Sequence, residues 1–147
     1  MGNYEGKIPP ALFKKLVLIS PMPCVDIILV RRGHLLIGKR QIIALKNKWA
    51  LIGGRIYKNE YPQQTCERQL KILGLKGKYK SMVGTFATKF NNHPQKRYDI
   101  TLCYLYDYIS GEPDDPTEEL LYFTWEKPEH LPKMSKHYMK MIKAAKL

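Results

Sequence analysis

Three features of the 147-residue sequence predict an α/β fold. Runs of branched apolar residues are short enough to be strands, a glycine pair and a proline punctuate a strand-to-helix unit, and the C-terminal stretch has helical apolar spacing. Strands come first, a helix follows the glycine loop, more strands follow, and a helix ends the chain. That order predicts a mixed sheet covered by helices. The sequence has no internal repeat, and its length suits one domain over residues 1–147.

Pro9 and Pro10 precede ALFKKLV, a short helical or extended entry. VDIILV reads as a buried strand; Arg32, Gly33 and His34 make a tight turn into HLLIGKR, so residues 25–40 form a hairpin. A basic loop, QIIALKNK, leads to WALIGG, a short apolar strand ending in Gly53 and Gly54. Pro62 suits the first turn of a helix, which Thr65 to Leu73 continue and Gly74 closes. Tyr79–Phe90 and Tyr98–Ile109 are strand-like, joined by the polar loop NNHPQK. Ile100, Leu102, Tyr104 and Tyr106 share one face of the second, and Thr101, Cys103 and Leu105 the other. GEPDDP is a turn before a last strand, LLYFTW. Ser135 caps a final helix in which Tyr138, Met141, Ile142 and Ala145 recur at helical spacing, opposite a solvated stripe of Lys136, Lys140 and Lys143.

Hydrophobic residues at 44% and charged residues at 26% exclude a disordered or fibrous chain. Cys24, Cys66 and Cys103 are odd in number and far apart, which argues against a disulfide framework and a zinc site and for a reducing, cytoplasmic setting. LVLISPMPCVDIILV is broken by Pro21, Pro23 and Asp26 before it spans a bilayer, so no membrane segment is expected. Gly6 stands where a myristoylation signal needs Ser or Thr. The net charge of +12 attracts phosphates, nucleotides or nucleic acid, and equally describes a lysine-rich surface that serves solubility. Lys71 to Arg97 contains no acidic residue, whereas Asp107 to Glu119 is acidic.

A GGR segment between a strand and a helix is a phosphate cradle or a simple turn, and by itself the motif does not decide. Its spacing says more: Gly54, five residues, Glu60, seven residues, Arg68. This resembles the first half of the Nudix box. Over a longer span, DIILVRRGHLLIGKR, WALIGGRIYKNE and CER resemble the GDP-mannose mannosyl hydrolase branch of that superfamily. The resemblance implies a Nudix-type α/β/α sandwich, a MutT-like hydrolase of a nucleotide sugar, a magnesium cofactor and possible pairing as a homodimer. It gives Glu60 and Arg68 a bracing ion pair, and gives Gly53 and Gly54 a backbone carbonyl on the metal. Arg40 and Arg55 would neutralise the diphosphate, and Asp26 would stand near the sugar-nucleotide pocket.

The sequence departs from the family pattern after Arg68. Where carboxylates on one helical face would hold magnesium, it has Gln69, Leu70, Lys71, Ile72 and Leu73, and Gly74 arrives one residue early. Gln69 offers only a neutral amide oxygen, and Glu67 points to another side of the helix. Counting back from Trp125, the branch's metal-binding Gln position falls on Glu119 and its catalytic His position on Leu120. Glu119 is therefore the candidate metal ligand, and Leu120 cannot act as a base. His93, with Lys96 and Arg97 in the basic loop, is a candidate replacement, although a lone loop His is more often structural. Tyr98 and Asp99 stand near a substrate-contacting position of the family. His34, His130 and His137 read as turn or surface residues without partners.

Two functions follow from these residues. One is a magnesium-dependent hydrolase of a nucleoside-diphosphate sugar, impaired by the missing helix glutamates. The other is a non-catalytic Nudix-fold module that binds nucleotides or RNA phosphate through its basic surface. A third, RNA-end pyrophosphohydrolysis, rests on charge alone.

Overall fold

The computed structural model describes residues 6–40, 48–91, 93–94, 96–113 and 120–147. The N-terminal entry is a helix, α1 (Pro10–Ile19). Pro10 occupies the first helical position, where its missing N–H costs nothing, and the Phe13 N–H donates to the Pro9 carbonyl at 2.9 Å. Strand β1 (Met22–Arg31) turns at Arg32 and Gly33, with φ of 50° and 76°, into β2 (His34–Arg40). Two successive positive φ values match the twist that a two-residue hairpin loop needs.

The hairpin over residues 25–40 pairs only beside its turn, at Val30 with Leu35 and Arg31 with His34. Further from the turn, the flank of β1 is taken by β4 (Ile52–Arg55), which sets Cys24 opposite Arg55 and Asp26 opposite Gly53. WALIGG is accordingly two strands. β3 (Trp49–Ala50) pairs with β2, the chain steps at Leu51, and β4 crosses to β1. On its other edge β1 runs parallel to β6 (Tyr98–Ser110), whose antiparallel partner is β5 (Lys76–Lys89). β7 (Leu120–Glu126) pairs with β2 and completes a seven-stranded mixed sheet.

Helices cover both faces, which is the α/β class predicted. The alternation along β6 assigns its residues to two layers. Cys103 and Leu105, with Ile28 of β1, pack on Tyr138, Met141 and Ile142 of α3 (Lys136–Ala144). Tyr104 and Tyr106, with Val25, Ile27 and Leu29, pack on Cys66 and Leu70 of α2 (Pro62–Ile72). Helix α2 ends where Gly74, at φ 72°, lets the Leu75 N–H reach the Leu70 carbonyl at 2.9 Å.

Ser135 holds the N-cap position of α3 but caps no backbone amide. Its hydroxyl lies 3.0 Å from His137 Nδ1 instead. Lys136, Lys140 and Lys143 are exposed. The three cysteines are buried and unpaired, and no described helix is long and apolar enough to cross a membrane.

Candidate functional site

Glycine lets β4 lie close against β1 at Gly53 and against α2 at Gly54. A Cβ on Gly53 would overlap the Val25 carbonyl and the Asp26 carboxylate, and one on Gly54 would overlap the Gln69 amide. The start of β1, β4 with the loop that follows it, and the second half of α2 at Arg68 and Gln69 surround one cavity of about 380 Å³. Such a volume falls in the range of small-ligand sites.

Beyond the glycines, Glu60 and Arg68 hold the loop. Arg68 Nε donates to Glu60 Oε2 at 2.6 Å and Arg68 Nη2 to Glu60 Oε1 at 2.9 Å. Oε1 also accepts from the Tyr57 N–H at 2.9 Å and the Thr65 hydroxyl at 3.1 Å. The hydrogen bonds from Arg68 are the main reason the Glu60 carboxyl is held below its usual range, ahead of the opposing effect of burial. Arg68 Nη2 further donates to the Arg55 carbonyl at 2.9 Å, and its guanidinium lies 3.6 Å from the centre of the Tyr57 ring. The backbone that presents Arg55 is thereby fixed.

Arg40, Arg55, Arg68 and Arg97 all line the cavity, as does Lys7, against Asp26 and Asp99. Three of these guanidinium groups have acceptors inside the protein. Arg55 donates to the Gly6 carbonyl at 2.8 Å and the Ile56 carbonyl at 3.1 Å, Arg97 to Asp99 at 2.6 Å, and Arg68 as described. Arg40 is only partly paired: Nη1 donates to the Tyr138 hydroxyl at 2.9 Å, while its buried Nε has no hydrogen-bond partner among the described residues. Asp26 is 9% exposed and faces Gly53.

Asp26, Arg40, Arg55, Gly53, Gly54 and Gln69 are thus brought together, with Asp99 nearby. His93 and Tyr98 are not among the lining residues; Tyr98 carries Lys89 over its ring at 5.6 Å. Of the His93, Lys96 and Arg97 group, only Arg97 reaches the wall. Glu119 lies outside the described residues. On α2, Gln69 lines the cavity, Ile72 is 58% exposed and Leu73 is buried. No group of three His, Cys, Asp or Glu side chains among the described residues is arranged to hold a metal ion. A neutral amide beside two aliphatic side chains does not fit the hard-oxygen coordination of magnesium, so the α2 donor set does not supply that site. Cys24 also lines the wall, but burial pushes its thiol up to about 12 and leaves it un-ionised.

Two of the three histidines expected to lack partners have them, and His34 Nδ1 lies 2.9 Å from the Arg32 carbonyl oxygen. His137 is no unpartnered surface residue: it lines the cavity, bonds Ser135 and lies 3.9 Å from the Tyr138 ring, with Phe90 edge-on at 5.3 Å. Nothing in the spacing marks it, because it falls beside the apolar stripe of α3 rather than on it. Phe13 is brought in from α1, where its ring lies 5.6 Å beneath the Arg97 guanidinium. Burial, then the nearby Arg40 charge, lowers the His137 pKa from 6.5 to about 4.

Between those values the unfolded chain binds a proton that the folded chain refuses, so stability present above pH 6.5 is lost as the pH falls towards about 4. The expected loss is about 2 kcal/mol, allowing for solvent screening of a half-exposed ring. Urea unfolding at about pH 7 and about pH 4.5 checks it, since His137→Gln should lose less on acidification by roughly that amount. Equal losses in both proteins would show that the ring titrates normally.

The model of the NUDIX domain matches residues 20–145. The chain belongs to the Nudix domain family. Its fold is similar to that of the MutT NUDIX hydrolase from Burkholderia pseudomallei, at 18% identity and a TM-score of 0.73, covering 85% of this chain and 98% of that one. It is also similar to a UDP-X diphosphatase, at 16% identity and a TM-score of 0.68, covering 95% of this chain and 70% of that one. The NUDIX domain of Shewanella oneidensis NrtR, solved in complex with ADP ribose, is 17% identical with a TM-score of 0.69, covering 95% and 92%. A search of curated proteins found no match.

Proposed function

We propose that this Nudix chain binds a nucleoside-diphosphate sugar of the GDP-mannose kind in the cavity, and that arginine rather than magnesium on α2 neutralises the diphosphate. The observation that carries this reading is the charge of the cavity wall, where Lys7, Arg40, Arg55, Arg68 and Arg97 face only the carboxylates of Asp26 and Asp99. A diphosphate supplies such a wall with both hydrogen-bond acceptors and the opposite charge. Two similar structures, the UDP-X diphosphatase and the domain bound to ADP ribose, also carry nucleoside diphosphates in their names.

Isothermal titration with GDP-mannose tests it. Affinity should change less than about threefold between excess EDTA and millimolar magnesium, and Arg40→Ala should weaken it about 10- to 100-fold. Binding that appears only with magnesium, or an unaffected Arg40→Ala protein, would sink the reading.

Hydrolysis of the same compound is the second reading, and Asp26 favours it. A carboxylate on the cavity wall is the kind of group that can take a proton from an attacking water. Ion-exchange analysis of products should then show GDP released by the native protein and not by Asp26→Asn. No release from the native protein leaves a binding module.

A further inference from the structure

The arginines account for a diphosphate, but they leave one stretch of the cavity wall unexplained. His137 and Tyr138 are consecutive on α3, their ring centres 3.9 Å apart, and Phe90 stands perpendicular to His137 at 89°. All three line the cavity. Tyr138 is 3% exposed and backs onto the core shared with Met141, whereas His137 is half-buried. Arg40 donates to the Tyr138 hydroxyl, so this aromatic group begins one hydrogen bond from the arginine assigned to the phosphates.

Holding the imidazole here diverts a residue that would otherwise serve the helix. Ser135 is the residue type that usually caps a helix start, yet its hydroxyl pairs with His137 and no side-chain cap forms.

We propose that Phe90 and His137, backed by the buried Tyr138 ring, form the seat of the ligand's nucleobase, and that the base is a purine. The proposal rests on the reading of the cavity as a nucleoside-diphosphate site. Bases stack on aromatic faces whatever their edge pattern, and the bicyclic purine covers more of a multi-ring wall than a pyrimidine does. Burial and the Arg40 charge keep the imidazole neutral at physiological pH, so it serves as an uncharged platform and not as another phosphate ligand.

Titration of the full chain with GDP, UDP and inorganic pyrophosphate separates the seat from the arginine end. GDP should bind more tightly than UDP, and UDP more tightly than pyrophosphate. His137→Leu should weaken GDP about tenfold while pyrophosphate changes by no more than about twofold, and His137→Phe should retain most of the GDP affinity. Phe90→Leu, a change outside α3, should repeat the selective loss even if His137→Leu disturbs helix packing. UDP binding as tightly as GDP would overturn the purine assignment. Equal losses for GDP and pyrophosphate in both leucine variants, or none, would overturn the seat while leaving the arginine site standing. Failure of all three ligands to bind the native protein would remove the nucleotide reading and the seat with it.

Discussion

Gly53→Ala is expected to destabilise the protein by about 3 kcal/mol or more, at the upper end of overpacking changes. Its new methyl group would meet the Val25 carbonyl, a backbone atom of β1, as well as the Asp26 carboxylate. A backbone oxygen cannot step aside unless β4 parts from β1, and that pairing sets Asp26 against Gly53 and Val25 against Gly54. Gly54→Ala is the internal comparison. Its methyl meets only Gln69, whose amide is the far end of a flexible side chain and can swing away, so a cost of about 1 kcal/mol is expected. Urea denaturation midpoints measure both. Similar values would mean that β4 has room to shift, and the cavity floor would then be softer than its hydrogen-bond register indicates. If the ordering holds, ligand affinity should also fall further in Gly53→Ala than in Gly54→Ala.

What the sequence reveals about this arrangement depends on how local each interaction is. The pair of Glu60 and Arg68 is expected only because the spacing of Gly54, Glu60 and Arg68 resembles the Nudix box; the structure brings the two side chains together across one strand, loop and helix. The two faces of β6 are legible directly, since a period of two sends Cys103 and Leu105 to α3 and Tyr104 and Tyr106 to α2. Contacts between distant segments leave no such trace. Nothing in WALIGG announces that β4 leaves β2 for β1, because the step at Leu51 answers to a vacancy on another strand. The bond from Arg55 to the Gly6 carbonyl and the packing of Phe13 under Arg97 depend on where α1 settles. His137 is isolated along the chain but not in space, and chain position alone does not show its partners. Ser135 is a residue type that usually caps a helix, and here that local preference yields to a side-chain contact two residues on.

Arg68→Ala is expected to cost about 2 to 3 kcal/mol, below the loss for a fully buried ion pair because the side chains remain 23% and 16% exposed. The substitution leaves Glu60 charged in a partly desolvated site with only the Tyr57 amide and Thr65 hydroxyl as donors, and strips the Arg55 carbonyl of its partner. Arg68→Lys should recover little, since one ammonium cannot reach both carboxylate oxygens and that carbonyl in the fixed fork a guanidinium provides. Glu60→Ala with Arg68→Ala should cost less than the sum of the two single changes by about 1 to 2 kcal/mol, because the second removes a charge the first has already stranded. Additive losses would mean that each side chain acts through its own backbone contacts and not through the pair. The pair also predicts a direction with pH. Arg68 holds the Glu60 pKa below its ordinary 4.5, so the contribution is complete above that value and disappears as the pH falls through the lower folded value. Native protein and Arg68→Ala should therefore converge in stability in strong acid. Because Arg68 also fixes the backbone that carries Arg55, its loss should weaken GDP-mannose binding along with the fold, whereas a purely structural brace would change the unfolding midpoint and leave the affinity of the folded fraction intact.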